Sequence, residues 1–219
     1  MKLKATLLKL EKNTQGRDFV VGDLHGHVTK LHDQLAALNF NSALDRVICV
    51  GDLIDRGPES AEALNLLNEP WFFSVIGNHE YLMINGMRYK SSRHRMAWLN
   101  HGGDWITQTS PALWDDWFDA IEALPLAIEV EGSDGSRYGI IHADYPHSHW
   151  QEFEHLMPEL LEKCIWSRSQ FQCQSRHVVN GIDYLIHGHN VNGGDLQLGN
   201  RFYIERGAYL GNDLVIKEL

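Results

Sequence analysis

Apolar residues in the first third of the chain come in short runs, each ending at a glycine. Phe19-Val20-Val21 runs into Gly22, Val47-Ile48-Cys49-Val50 into Gly51, and Phe72 to Ile76 into Gly77. Short β-branched and aromatic runs bounded by turn residues predict buried strands. After each glycine the period lengthens. Val28, Leu31, Leu35 and Leu38 recur at helical spacing, with Lys30, Asp33 and Gln34 directed elsewhere. A second helix is predicted from near Pro58, with Ala61, Leu64 and Leu67 on one face, and a third through Tyr81, Leu82 and Met83. Successive strand-loop-helix units predict an α/β fold with a largely parallel sheet and right-handed crossovers.

Before the first strand, residues 1–12 read as an edge strand or docked arm and Asn13 to Gly16 as a turn. Downstream, Ser110-Pro111 opens a predicted helix whose Leu113, Trp117, Ile121 and Leu124 share a face. Residues 126–130 and 137–141 flank Gly132-Ser133-Asp134-Gly135 and predict a hairpin. A helix is expected over residues 153–164 and a strand over 183–186, with 201–204 and 214–216 as a closing strand pair. Arg88, Lys90, Arg93 and Arg95 read as a solvated basic face first, and as a stretch that draws in an anionic substrate second. Without a linker or repeat, residues 1–219 read as one domain.

A formal net charge of −10 argues against a general nucleic-acid binder, which needs clustered Lys and Arg. Cys49, Cys164 and Cys173 are odd in number and widely spaced, which points to a reducing compartment. The alternating apolar and cationic residues at Met1 to Leu10 do not form a signal peptide, and no apolar run reaches about 18 residues. A cytoplasmic monomer with no membrane partner is expected.

The polar residues that follow the predicted strands change the picture from fold to chemistry. Asp23, His25, Asp52, Asp55, Arg56, Asn78, His79, His142, Arg168 and one or both of His187 and His189 all stand at or near such ends, where open α/β sheets place their sites. Carboxylates, imidazoles and an amide without a thiolate suit Mn, Fe or Zn. These candidates are too many for one ion, and two divalent ions sharing a carboxylate would use them to activate a water and clamp a phosphoryl oxygen. Arg56 and Arg168 then serve as planar phosphate donors. His27, His32, His94, His101, His147, His149, His155 and His177 read as surface or hydrogen-bonded residues, and Trp98, Trp105, Trp114 and Trp117 as packing.

Gly-Asp-Leu-His-Gly at 22–26, Gly-Asp-Leu-Ile-Asp-Arg-Gly at 51–57 and Gly-Asn-His-Glu at 77–80 resemble the signatures of the PPP metallophosphatases. His142-Ala143-Asp144-Tyr145-Pro146, Trp166-Ser167-Arg168 and Gly102-Gly103-Asp104-Trp105 are similar to the bacterial and phage lambda-type serine/threonine protein phosphatases. The resemblance implies a calcineurin-like metallophosphoesterase fold, a central β-sandwich flanked by helices, and two ions, Mn first with Fe or Zn as alternatives. It implies Asp23, His25 and Asp52 on one ion, and Asp52, Asn78, His142 and His189 on the other. It further implies that Arg56, Arg168 and Asn78 orient the phosphate and that His79, held by Asp55, protonates the leaving group.

The implied substrates are phosphoproteins or phosphopeptides bearing phosphoserine or phosphothreonine, with phosphotyrosine a further candidate. A symmetrical dinucleoside-tetraphosphate hydrolase and a non-catalytic metal-binding module are the competing readings. Asp55 and Glu80 speak against the first, because those relatives typically carry alanine and aspartate there. Two departures from the family pattern stand out: Glu205-Arg206-Gly207 replaces a common Asp-Thr-Gly, with Arg206 read as a surface ion pair, and His187 replaces an apolar or aromatic residue.

Overall fold

The three glycine-terminated runs lie side by side in the computed structural model, which describes residues 1–219. β2 (Asp18–Val21), β3 (Arg46–Cys49) and β4 (Phe72–Ser74) are parallel, with β10 (Ile216–Glu218) antiparallel on the outer edge of β2. A second sheet has the order β1-β5-β6-β7-β9-β8, from β1 (Leu7–Leu10), β5 (Ala127–Glu131), β6 (Arg137–Ile141), β7 (Tyr184–His187), β8 (Leu196–Leu198) and β9 (Arg201–Tyr203). The expected arm is thus an edge strand, parallel to β5, and the expected hairpin joins β5 to β6.

Strand alternation explains why the sheets face each other. Val20, Ile48, Ile128, Val130, Ile140 and Ile186 meet in one apolar layer fed by both sheets. Their neighbours Phe19, Val21, Val47, Cys49, Ile141 and Leu185 belong to the larger core cluster that also holds the helix residues. Strands apolar on both faces need cover on both. That cover comes from α1 (Val28–Ala37), α2 (Ser60–Asn65), α3 (Asn78–Met87), α4 (Ser92–Asn100) and α5 (Trp114–Ala123), giving two sheets flanked by helices.

Four expectations need correction. Residues 201–204 and 214–216 do not pair: β9 lies beside β7 and β8, whereas β10 joins β2 in the other sheet. Alternation marks a buried strand without saying which of two facing sheets it enters. The helix expected over 153–164 is broken into a 3-10 segment, Trp150–His155, and single turns Pro158–Leu161 and Lys163–Trp166. Pro158 enforces the break, since the residue before it, Met157, is extended at φ −65° and ψ 145°. α2 starts at Ser60 and buries Ser60, Ala63 and Leu64, so the expected face is rotated. β4 ends at Ser74, leaving Val75 and Ile76 buried in the turn toward α3.

Candidate active site

Parallel strands end on the same side, so the loops after β2, β3 and β4 meet the loops after β6 and β7. Asp23, His25, Asp52, Asp55, Asn78, His79, His142 and His189 are all buried there, while Arg56 and Arg168 are exposed at the rim. The turns are tight. Of eight non-glycine residues with positive φ, five are His25, Asp52, Asp55, Arg56 and His189. Such backbone costs about 1–3 kcal/mol per residue and persists only where its surroundings fix it. Glu80 supplies part of that restraint, accepting the N–H groups of Asp52 (3.0 Å), Leu53 (2.8 Å) and Gly77 (2.9 Å). At Gly77 and Gly188 only glycine fits, because a Cβ would stand 2.2 Å from Asp52 Oδ1 and 1.9 Å from Asp23 Oδ1.

Asp52 is the centre of the cluster. Its Oδ2 lies 3.4 Å from His142 Nε2, 3.8 Å from His25 Nε2 and 3.9 Å from His79 Nε2. Two groups of potential metal donors share it: His25, Asp52 and His79, and Asp52, His142 and His189; Asp23, expected beside His25, falls in neither, because its carboxylate is turned to the His189 N–H. Asn78 Oδ1 is 3.0 Å from His142 Nε2, beside the second group. Both Asp23 carboxylate oxygens accept the backbone N–H of His189, at 3.0 and 3.1 Å. Burial disfavours the Asp52 carboxylate, but the imidazoles, His142 foremost, outweigh it and hold its pKa well below the usual range. His142 is pushed up to about 9, the Asp52 charge overcoming its own burial. Asp23 is raised well above its ordinary value by burial and by nearby Glu205. One shared carboxylate between two groups of hard and borderline donors, without thiolate, fits a pair of divalent ions.

A second set of bonds fixes His79. Asp55 Oδ2 lies 2.6 Å from His79 Nδ1, and Asp55 also accepts the indole N–H of Trp98 (2.9 Å) and Trp105 (2.7 Å). These two tryptophans therefore pack and hold the carboxylate at once. Burial opposes an imidazolium at His79, yet Asp52 and Asp55 prevail and raise its pKa. The Arg56 guanidinium lies at the mouth of the cluster, its two terminal nitrogens 2.7 Å from His25 Nε2 and 3.0 Å from His79 Nε2 and its carbon 4.3 Å from the Tyr209 ring centroid. Arg168 donates through NH1 to His189 O (2.8 Å) and Asn190 Oδ1 (2.9 Å).

Of the two candidate histidines, His189 joins the donor group. His187 lies behind it, with Nδ1 3.1 Å from Ile141 O and its ring stacked on Tyr203. Arg206 makes the expected exposed ion pair, 3.1 Å from Asp195. Three contributors to the site are not among the sequence candidates, although two of them, Glu80 and Glu205, stand in motifs already noted. Glu80 could have been found from its spacing three residues after Gly77, a capping arrangement. Glu205, which accepts the Asp23 N–H at 3.0 Å, was hidden beside the more conspicuous Arg206. Tyr209 has no local signal.

Comparison with known proteins matches this geometry to a family. The model of the calcineurin-like phosphoesterases matches residues 19–193. The chain is 36% identical over 200 residues to serine/threonine-protein phosphatase 2 of Escherichia coli (strain K12), covering 87% of each chain. It is 40% identical over only 83 residues to a symmetrical bis(5'-nucleosyl)-tetraphosphatase of Coxiella burnetii, 36% of this chain and 26% of that one. A solved serine/threonine phosphatase from Saccharomyces cerevisiae superposes with a TM-score of 0.68 at 16% identity, over 99% of this chain and 84% of that one. The chain belongs to the calcineurin-like phosphoesterase family.

Proposed function

We propose that this metallophosphoesterase is a serine/threonine protein phosphatase, with phosphotyrosine a further candidate substrate, which transfers the phosphoryl group directly to water. The observation that carries the reading is the Asp55-His79 pair set against Asp52. A metal-binding module would need Asp52 but not a carboxylate-held imidazole beside it. Asp23, His25 and Asp52 would hold one divalent ion, and Asp52, Asn78, His142 and His189 a second, Mn2+ in the first instance. When bound, the pair supplies a nucleophilic water at neutral pH and neutralises charge on the phosphoryl oxygens.

The chain's own residues supply the rest. Arg56, Arg168 and Asn78 bind and orient the phosphate, which sits at the rim because both arginines are exposed, within reach of a residue carried on a protein. Asp55 accepts the Nδ1–H of His79 and favours its imidazolium, whose Nε2–H is then the proton given to the leaving oxygen, Nε2 returning as the neutral nitrogen. Tyr209 supports Arg56 from behind. The free cysteines support a cytoplasmic location, and no helix is long and apolar enough to cross a membrane.

A side-by-side assay of a phosphoserine peptide and diadenosine tetraphosphate with Mn2+ tests the substrate class. Phosphopeptide turnover with little dinucleotide cleavage is expected. Cleavage of the dinucleotide alone would overturn the protein-phosphatase reading.

A further inference from the structure

Behind the site, on the helix-covered face of the second sheet, lies a cluster that the chemistry above does not use. Every buried side-chain polar atom without a hydrogen-bond partner in the protein belongs to Asp144 (Oδ1), His187 (Nε2), Asn190 (Nδ2), Arg201 (Nε) or Tyr203 (Oη). None of these residues is more than 4% exposed. Buried polar groups are normally satisfied, and an orphan in a native fold calls for an explanation, a bound water or ion being one.

Four of the orphans, on Asp144, His187, Arg201 and Tyr203, are neighbours. Arg201 and Tyr203 point to one face of β9, opposite Leu185 and His187 of β7, and the His187 and Tyr203 rings stack at 5.2 Å. The Asp144 charge bears on both Arg201 and Tyr203. Asp144 Oδ2 accepts Ser167 Oγ (2.9 Å) and Gln170 N (3.2 Å), and Phe171 packs edge-on against Tyr203. The lid over the cluster is therefore the segment that carries Arg168. Asn190, on the loop after β7, holds the Arg168 guanidinium directly.

The chemistry of the orphans selects their ligand. Arg201 and Asp144 balance in charge without forming a direct ion pair, so neither an anion nor a cation is favoured. Arg201 Nε and Asn190 Nδ2 donate and Asp144 Oδ1 accepts, while Tyr203 Oη does both. His187 Nε2 accepts, because its Nδ1–H is directed at Ile141 O. A small neutral molecule that donates and accepts is water, which makes about three such bonds when buried.

We propose that Asp144, His187, Arg201 and Tyr203 enclose an internal water site. Through Asp144 and Asn190 it positions Arg168 for phosphate, an inference that rests on Arg168 as a phosphate-binding residue. The test uses the metal-replete full chain, p-nitrophenyl phosphate as substrate and inorganic phosphate as competitive probe. Tyr203→Phe removes one hydroxyl and keeps the ring. The expected result is a KM and a phosphate inhibition constant each raised about tenfold, with kcat within about threefold. Metal stoichiometry should be unchanged, and no further loss should follow in an Arg168→Ala background. An unchanged KM, or an equal loss in both backgrounds, overturns the positioning role. If Arg168→Ala itself leaves KM and phosphate inhibition untouched, the phosphate-binding reading of Arg168 fails instead. A crystal structure of the wild type does not depend on a variant folding. Water density joining Arg201 Nε, Tyr203 Oη and Asp144 Oδ1 supports the site, and a direct Asp144-Arg201 pair or a bound ion there overturns it.

Discussion

At the scale of single residues, two carboxylates three positions apart have separable tasks. Asp52 is shared by both donor groups, whereas Asp55 belongs to neither and holds His79 through Nδ1. Asp52→Asn should therefore lose most bound metal and about 10³-fold or more in turnover, read by elemental analysis and p-nitrophenyl phosphate hydrolysis. Full turnover by a metal-replete variant would remove Asp52 from the shared position. His79→Asn should keep its metal and slow an alkyl phosphate by about 10²–10⁴-fold, while p-nitrophenyl phosphate, whose leaving group needs little protonation, slows far less. Equal losses on both substrates would argue against His79 as the acid. Most of these residues were legible in the sequence because the sheet places them: each follows a buried run directly, so a linear motif and a spatial site coincide. Tyr209 reaches Arg56 from a distant loop, and nothing in its neighbours along the chain announces that contact.

At the scale of elements, the strands that build the site were legible as continuous apolar runs, a pattern that double-sided burial requires. Their sheet assignment was not, because β9 and β10 read alike and differ only in partner. Connections between elements depend on polar anchors that periodicity cannot reveal. Asp45, between α1 and β3, is buried and accepts the backbone and guanidinium N–H of Arg17 (2.8 and 2.7 Å) and the Asn41 N–H (2.9 Å). Burial alone would raise its pKa, but these bonds prevail and lower it below the ordinary 3.8. A depressed folded pKa contributes stability that is fully present above the unfolded value and is lost as pH falls through the folded one. Asp45→Asn should lower Tm at pH 7 by roughly 3–6 °C. The gap to wild type should narrow below pH 3.8. A gap that stays constant down to pH 2 would show that the charge of Asp45 is not what holds the turn.

At the scale of the whole molecule, the site joins the two sheets. Asp23, His25 and Asp52 come from loops of the β2-β3-β4 sheet and Asn78 from the first turn of α3 behind β4, whereas His142 and His189 follow β6 and β7 of the other sheet. The apolar layer between the sheets ties them along their length, but at the strand ends the contact is made by buried carboxylates and imidazoles. Burial opposes the charged forms of both Asp23 and His189, raising the pKa of the first and lowering that of the second to about 3. Ions that bind only the folded arrangement stabilise it by mass action, by about 2.7 kcal/mol at a free concentration 100 times Kd. Chelation of the Mn2+-loaded protein should then lower Tm by roughly 5–10 °C, measured by calorimetry. Because Asp52 is the one donor shared by both groups, Asp52→Asn should abolish most of that shift. Deleting a ligand from one group only, as in His189→Ala, should leave part of it. A full shift in Asp52→Asn would mean that the stabilising ion sits elsewhere in the molecule.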